Sequence, residues 1–258
     1  MKYNNVIISI DIPFFRHLDF TTVSNNCNLL KCINCQAISN PDAEKTELPT
    51  FEKKKYADSH QTQQTMHVDG YTEPVTRSFM QAKMLTEQIL NNKNMRVLDI
   101  GCFDGRLLIE LDKIITNADL WGFEINPHLE LLFPQKDNLH FISTDLEDLE
   151  GPFDLITLSH SILYIPDVPE LMASISRLLK DDGTLFIQIP DIYTNPFYSL
   201  MGDQSFIFTE TSLNNVLYRF GYRAEIVKND YFPRELLAIA QKDESVDLSS
   251  YKENNLFR

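Results

Sequence analysis

Arg96-Val-Leu-Asp99-Ile-Gly101-Cys-Phe-Asp104-Gly105-Arg106 decides how the rest of the chain is read. An apolar run carries an acid at Asp99, a glycine follows, and a second glycine opens a helical pattern. This is the sequence of a buried strand, a tight turn and a helix start. Trp121-Gly-Phe-Glu124 follows as a second short apolar run ending in a carboxylate. Two such strands side by side in a parallel sheet carry a nucleoside-type cofactor across their ends, with the acid on the ribose hydroxyls. A dinucleotide needs G-x-G-x-x-G, because the backbone must approach a pyrophosphate. Here the spacing is Asp99-x-Gly101-x-x-x-Gly105, and Phe103 stands where a glycine is needed. A cofactor without phosphates, such as S-adenosylmethionine, makes less demand on that position.

Strand and helix patterns alternate outward from this stretch. Strands are predicted at 96–100, 120–124, 139–143, 153–159 and 184–189, with two more at 222–227 and 236–241. Helices are predicted at 104–115, at 168–179 and from Thr209 to Gly221, with a short one at 127–133. Before the first strand, Phe79, Ala82, Leu85 and Ile89 fall at helical spacing behind Pro74. Gly183 reads as a left-handed cap ending the 168–179 helix. The alternation predicts an α/β fold, a doubly wound, seven-stranded, mostly parallel sheet, with one of the last two strands antiparallel because only a short turn joins them. Residues 1–70 form a small irregular N-terminal module with a cysteine cluster and a linker. Residues 71–243 form the main domain, and 244–258 a polar tail.

Composition narrows the partners. Apolar residues make up 43% of the chain, enough for a full core, and the net charge is −14. A field of that sign repels nucleic acid and anionic membranes, which points to a small-molecule partner. No apolar run reaches the roughly 18 residues a membrane span needs, and the apolar patch near Met1 is too short for a signal peptide. The expectation is a cytoplasmic protein, with a homodimer as one assembly. Four cysteines in 258 residues do not make a disulfide scaffold.

In their order and intervals, these motifs resemble the class I S-adenosylmethionine-dependent methyltransferases. The carrying residues are Val97-Leu-Asp-Ile-Gly-Cys-Phe-Asp-Gly-Arg106, Gly122-Phe-Glu-Ile-Asn126, Thr144-Asp145, Phe153-Asp-Leu-Ile-Thr-Leu-Ser-His160 and Leu179-Lys-Asp-Asp-Gly183. The resemblance implies S-adenosylmethionine as cofactor and methyl transfer to a small biosynthetic metabolite. A narrower resemblance joins Lys31-Cys32-Ile-Asn-Cys35, Tyr56-Ala-Asp-Ser-His60 and the main domain. It is to sugar C-methyltransferases with an N-terminal zinc module, and it implies a nucleotide-sugar acceptor. That family carries histidines shortly before the Phe208-Thr209 position, where this chain has Gln204 and Phe206, and two cysteine pairs where this chain has one.

Each candidate residue has a chemical reason. Gly101 and Gly105 let the cofactor's methionine part lie against backbone. Asp99 faces its amino group or caps nearby amides. Glu124 accepts from both ribose hydroxyls, with Ile125 beside it. Asp145, with Asp148 as a rival, accepts from the adenine amino group beside Leu146. Cys102 packs in the turn and Ser159 ends the fourth strand. His160 is the first candidate for a general base, with Tyr193 and Tyr164 next and Asp191 nearby. Cys32 and Cys35 are half of a zinc site, with Cys27 as a third ligand and His17, His60 or His67 as a fourth; unliganded thiols are the alternative. Two other functions compete. One is a methyltransferase-fold subunit that binds without catalysing. The other is a nicotinamide-dependent sugar enzyme, opposed by Phe103 and by the lack of a Tyr-x-x-x-Lys pair.

Overall fold

A computed structural model describes residues 3–10, 14–15, 22–24, 27–33, 35–41, 43, 65–88 and 94–245. The first part of the chain is strand-rich: β1 (Tyr3–Ile10), β2 (Phe14–Phe15), β3 (Thr22–Ser24), β4 (Cys27–Cys32), β5 (Ile38–Ser39), β6 (Thr65–Met66) and β7 (Val75–Thr76). Then come α1 (Arg77–Gln88), β8 (Arg96–Ile100), α2 (Arg106–Asp112), β9 (Asp119–Phe123), β10 (Leu139–Ile142) and β11 (Phe153–Ser159). The chain continues with α3 (Val168–Leu178), β12 (Leu179–Pro190), β13 (Phe206–Ile207), α4 (Glu210–Arg219), β14 (Tyr222–Val227) and β15 (Glu235–Lys242).

Seven strands form one sheet in the order β10-β9-β8-β11-β12-β15-β14. β8 runs parallel to both β9 and β11, and β9 parallel to β10. The reversed strand is β15, antiparallel to β12 and β14. The short connection from Val227 to Glu235 enforces this, because a parallel partner would need a crossover. The predicted strands lie within a residue or so of the observed ones, apart from the start of β12.

β8 and β11 are buried deep in the sheet. Val97, Leu98, Leu155, Ile156 and Leu158 are wholly buried. Continuous apolar runs of this kind belong to central parallel strands covered on both faces. The strand order reverses between β9 and β11, with β8 at the switch. Open parallel sheets bind ligands beyond the carboxyl ends of strands at such a point.

Several local expectations shift. The 104–115 helix contracts to Arg106–Asp112, and the 127–133 segment is a 3-10 turn over Pro127–Leu131. Gly183 is not a left-handed cap: α3 stops at Leu178 and β12 starts at Leu179, so Gly183 sits inside the strand. A Cβ there would lie 2.8 Å from Leu179 Cδ1, so close packing is what favours glycine. α4 starts as read, with Thr209 and Ser212 closing a capping box. The N-terminal module is less irregular than its sequence suggests. β1, β4 and β5 form a four-stranded sheet whose last strand, β13, comes from far downstream.

The chain divides into two compact units. One comprises Leu48–Ser159 and Arg177–Thr184; the other comprises Met1–Glu47, His160–Ser176 and Leu185–Arg258. Among the described residues, no helix is long and apolar enough to cross a membrane.

Candidate functional site

The turn after β8 is held by backbone. Gly101 N and Cys102 N both donate to Phe123 O, at 2.8 and 3.1 Å, pinning the turn to the end of β9. Gly101, Phe103 and Gly105 all have positive φ, at 81°, 53° and 76°. At Gly105 a Cβ would sit 2.6 Å from the Phe133 ring, so backbone and packing both require glycine.

Glu124 follows β9 directly. Its Oε2 accepts from Phe103 N at 3.2 Å and its Oε1 from Asn126 N at 3.1 Å. The carboxylate is thereby oriented by backbone amides, and its two oxygens, with about four lone-pair sites between them, keep acceptor capacity for another donor. Burial pushes the Glu124 carboxyl above its ordinary value, against the pull of the Asn126, Phe103 and Ile125 amides. A half-buried carboxylate with two oriented, incompletely used oxygens suits a vicinal diol, so the residues present fit an adenosine-type cofactor. Ile125 beside it is 66% exposed, an apolar surface that a flat ring can cover. Asn126 completes the corner by capping the next turn, accepting from His128 N at 3.1 Å.

The other predicted cofactor residues are more occupied. Asp99 is buried, and its Oδ1 accepts from Thr157 Oγ1 of β11 at 2.7 Å. Burial raises its pKa to about 6, against the Thr157 hydrogen bond and with a further push from Glu124. It caps no amide. Cys102 is buried too, and burial holds its thiol well above the ordinary value, so it packs as a neutral group. Asp145 caps the 146–148 turn, its Oδ1 taking Glu147 N at 3.0 Å, and Asp148 is exposed. Leu146 is half-buried, and its carbonyl takes Arg177 Nη2 at 2.6 Å. Ser159 Oγ accepts from the buried Gln81 Nε2 at 2.8 Å.

The second unit holds the predicted base candidates. His160 has φ 61°, a strained conformation for a residue with a side chain, and its amide donates to Gln188 O at 2.8 Å. Its Nε2 lies 3.3 Å from Glu235 Oε2, and the Gln188 side chain makes a short hydrogen bond to the same oxygen. The Tyr198 ring stands edge-on, with centroids 6.2 Å apart. Tyr164 OH accepts from Gln204 Nε2 at 3.4 Å. Tyr193 is 77% exposed, and its amide donates to Asp191 Oδ1 at 3.0 Å. Glu235, Gln188 and Gln81 escaped the sequence reading, since a polar residue at a strand end or on a helix carries no local signal. Asn126 was findable, because Asn before Pro is a helix-start signature.

Among the described residues, the cysteines form no metal centre. Cys32 and Cys35 are buried and form no disulfide, with Cys35 N donating to Cys32 Sγ at 3.5 Å. Burial pushes the Cys35 thiol up to about 11, disfavouring thiolate. Among the described residues, no group of three or more His, Cys, Asp or Glu could hold a metal ion. The Cys27 side chain, His17 and His60 lie outside the described residues, and His67 is exposed. A zinc site is thus not supported.

The sheet order, the glycine turn and the carboxylate after the second strand form the arrangement expected of a methyltransferase fold. A family described as a methyltransferase domain matches residues 76–226, more than half of the chain. The chain belongs to that family, within the class I S-adenosylmethionine-dependent methyltransferases. It is similar to trans-aconitate 2-methyltransferase of Deinococcus radiodurans, at 27% identity over 108 residues, covering 41% of this chain and 42% of the relative. It is also similar to ubiquinone biosynthesis O-methyltransferase of Coxiella burnetii, at 30% over 106 residues, covering 39% and 45%. The match spans less than half the length of either relative. Among solved structures, the glycopeptide N-methyltransferase MtfA, complexed with S-adenosyl-L-methionine, superposes with a TM-score of 0.53. It is 11% identical, and the match covers 64% of this chain and 94% of that one. That likeness concerns the fold. The sugar C-methyltransferase resemblance has no counterpart among these findings.

Proposed function

We propose that this chain catalyses S-adenosylmethionine-dependent methyl transfer to an oxygen of a small biosynthetic metabolite. The observation that carries the proposal is Glu124, held past β9 by the amides of Phe103 and Asn126 with acceptor capacity left over. Bound there, the cofactor supplies a methyl group already activated by its sulfonium charge. Glu124 would take both ribose hydroxyls, and Ile125 would cover the ring. The Asp145–Leu146 turn would meet the adenine edge. The turn from Gly101 to Gly105, with Cys102 packed inside it, would support the methionine part. Asp99 and Ser159 would complete that side. The protein's contribution is chiefly alignment and exclusion of water.

Two arguments favour oxygen as acceptor. Curated relatives of this chain include ubiquinone biosynthesis O-methyltransferases, named for methylation at oxygen. His160, with Tyr164 and Tyr193 as lesser candidates, offers a group that can take an acceptor proton. A nucleotide-sugar carbon acceptor has less support. Where imidazoles are expected, Gln204 is tied to Tyr164 and Phe206 stacks on Phe208, with centroids 5.7 Å apart. The net charge of −14 argues against a nucleic-acid acceptor.

Calorimetry with S-adenosylhomocysteine tests the reading. Binding in the micromolar range is expected, with none for a nicotinamide cofactor; the reverse would overturn it. Incubation with a labelled methyl donor and a metabolite extract should then yield a labelled ether or ester. Cofactor binding without any labelled product would instead favour a binding-only subunit.

A further inference from the structure

The cluster around His160 holds more than a lone histidine. Glu235 is the first residue of β15, and its side chain is only 11% exposed. Its Oε2 receives two groups at once, the Gln188 side-chain amide and His160 Nε2. Gln188 is wholly buried in β12 and is bonded through both its parts. Its side chain fixes Glu235, while its carbonyl fixes the His160 amide. Tyr198, from the Pro196–Leu200 turn, closes one side of the imidazole. One neutral buried residue thus sets both the backbone and the carboxylate of a histidine–carboxylate pair. The left-handed backbone of His160 strains it relative to an extended one, and such strain persists only where the surroundings over-determine it.

We propose that Glu235 is the positioning residue of the methyl-transfer site, fixing the His160 imidazole with its Nε2–H on the carboxylate and Nδ1 as its basic nitrogen. This rests on the methyltransferase reading for its purpose, though not for its geometry. A carboxylate holding one ring nitrogen as donor leaves the other as base. The acceptor's O–H proton passes to His160 Nδ1. A bound S-adenosylmethionine would supply the methyl group this oxygen takes, and the electron pair of the broken C–S bond would stay with the departing sulfide. The imidazolium that results is stabilised by the adjacent Glu235 charge. Such an arrangement serves an acceptor that arrives protonated, a hydroxyl, better than a carboxylate already ionised at neutral pH. Glu235 and Gln188 would touch neither acceptor nor cofactor.

Nitrogen-15 NMR of the histidine side chains tests this without any acceptor. The expected result is a slowly exchanging imidazole N–H correlated with Nε2, assigned to His160 by its loss in His160→Gln. In Glu235→Ala that proton should exchange at least tenfold faster. Glu235→Gln, which keeps the side-chain volume, provides the same comparison if the alanine variant fails to fold. Absence of a protected His160 N–H in the parent protein, its location on Nδ1, or unchanged exchange in the folded variant would overturn the proposal. Calorimetry separates the pairing from the methyltransferase reading. Glu235→Gln should bind S-adenosylhomocysteine as the parent does. A parent protein that binds none refutes the methyltransferase reading, while the NMR spectra still decide whether Glu235 holds His160.

Discussion

The two ends of β8 and β9 use carboxylates in opposite ways. At the amino end, Asp119 meets a guanidinium and an imidazole: Arg96 Nε lies 2.8 Å from Oδ2 and His140 Nε2 lies 3.0 Å from Oδ1. The Trp121 ring stacks on His140 with centroids 4.3 Å apart, and the Arg96 guanidinium sits 4.6 Å from the Phe153 ring centroid. Burial alone would raise the Asp119 carboxyl, but Arg96 and His140 help pull it below its ordinary value. At the carboxyl end, Asp99 and Glu124 are held by a hydroxyl and by amides rather than by cations, and burial raises both. A carboxylate already satisfied by an arginine is a clasp. One held in place but incompletely satisfied is suited to a ligand. The difference shows that residue type says little about role until its partners are known.

The sharpest way to break this contrast is Asp99→Asn. The folded-state pKa of Asp99, about 6, lies above the ordinary value of 3.8. The folded protein therefore holds this proton more tightly than the unfolded chain. That contribution is complete below about pH 4 and is lost as pH rises through 6. At roughly 1.4 kcal/mol per pKa unit, ionised Asp99 costs about 3 kcal/mol at neutral pH. Urea unfolding should show Asp99→Asn more stable than the parent near pH 7.5, with the gain shrinking toward pH 4. A variant less stable at both pH values would show that Asp99 is not a costly buried charge.

Glu124→Gln should weaken S-adenosylhomocysteine binding 10- to 100-fold, roughly 1.4–3 kcal/mol, by removing a charged acceptor from two hydroxyls. Asp119→Asn should leave that affinity unchanged in the same calorimeter; equal losses in both variants would erase the distinction between the ends. Gly105→Ala should cost about 2 kcal/mol in thermal unfolding, because φ is 76° and Phe133 occupies the space.

Asp119→Asn should cost about 1 kcal/mol at pH 7 and less in high salt, as a partly exposed ion pair does. Because the folded-state pKa of Asp119 is lowered, its contribution is present above the unfolded value and disappears as pH falls through the folded one. The smallest effect belongs to Asn117→Gly, at an exposed left-handed position bonded to Asn94 at 3.1 Å. A change within about 0.5 kcal/mol is expected there, since glycine tolerates the conformation and the site lies at the surface.

The sheet was largely legible because its signals are local. Val97, Leu98, Leu155 and Ile156 are apolar runs of strand length, and Gly101, Gly105 and Glu124 stand at fixed distances from them. Gly183 misled because glycine marks both turns and close packing, and only the position of Leu179 separates these. Beside its neighbour β4, β5 has a second partner that could not be read, since Ile38–Ser39 pairs with Phe206–Ile207 across most of the chain. The same holds for His160 and Glu235, joined through Gln188 by the register of β12 with β15.

Backbone periodicity and glycine spacing, both written into neighbouring residues, determined which segments are strands and the tight turn that follows β8. Whether a given acid pairs with an arginine, lies buried beside a hydroxyl, or is held half-buried by amides was settled only by folding. Those outcomes depend on which distant donors the tertiary contacts bring within about 3 Å, and no stretch of sequence encodes that distance by itself.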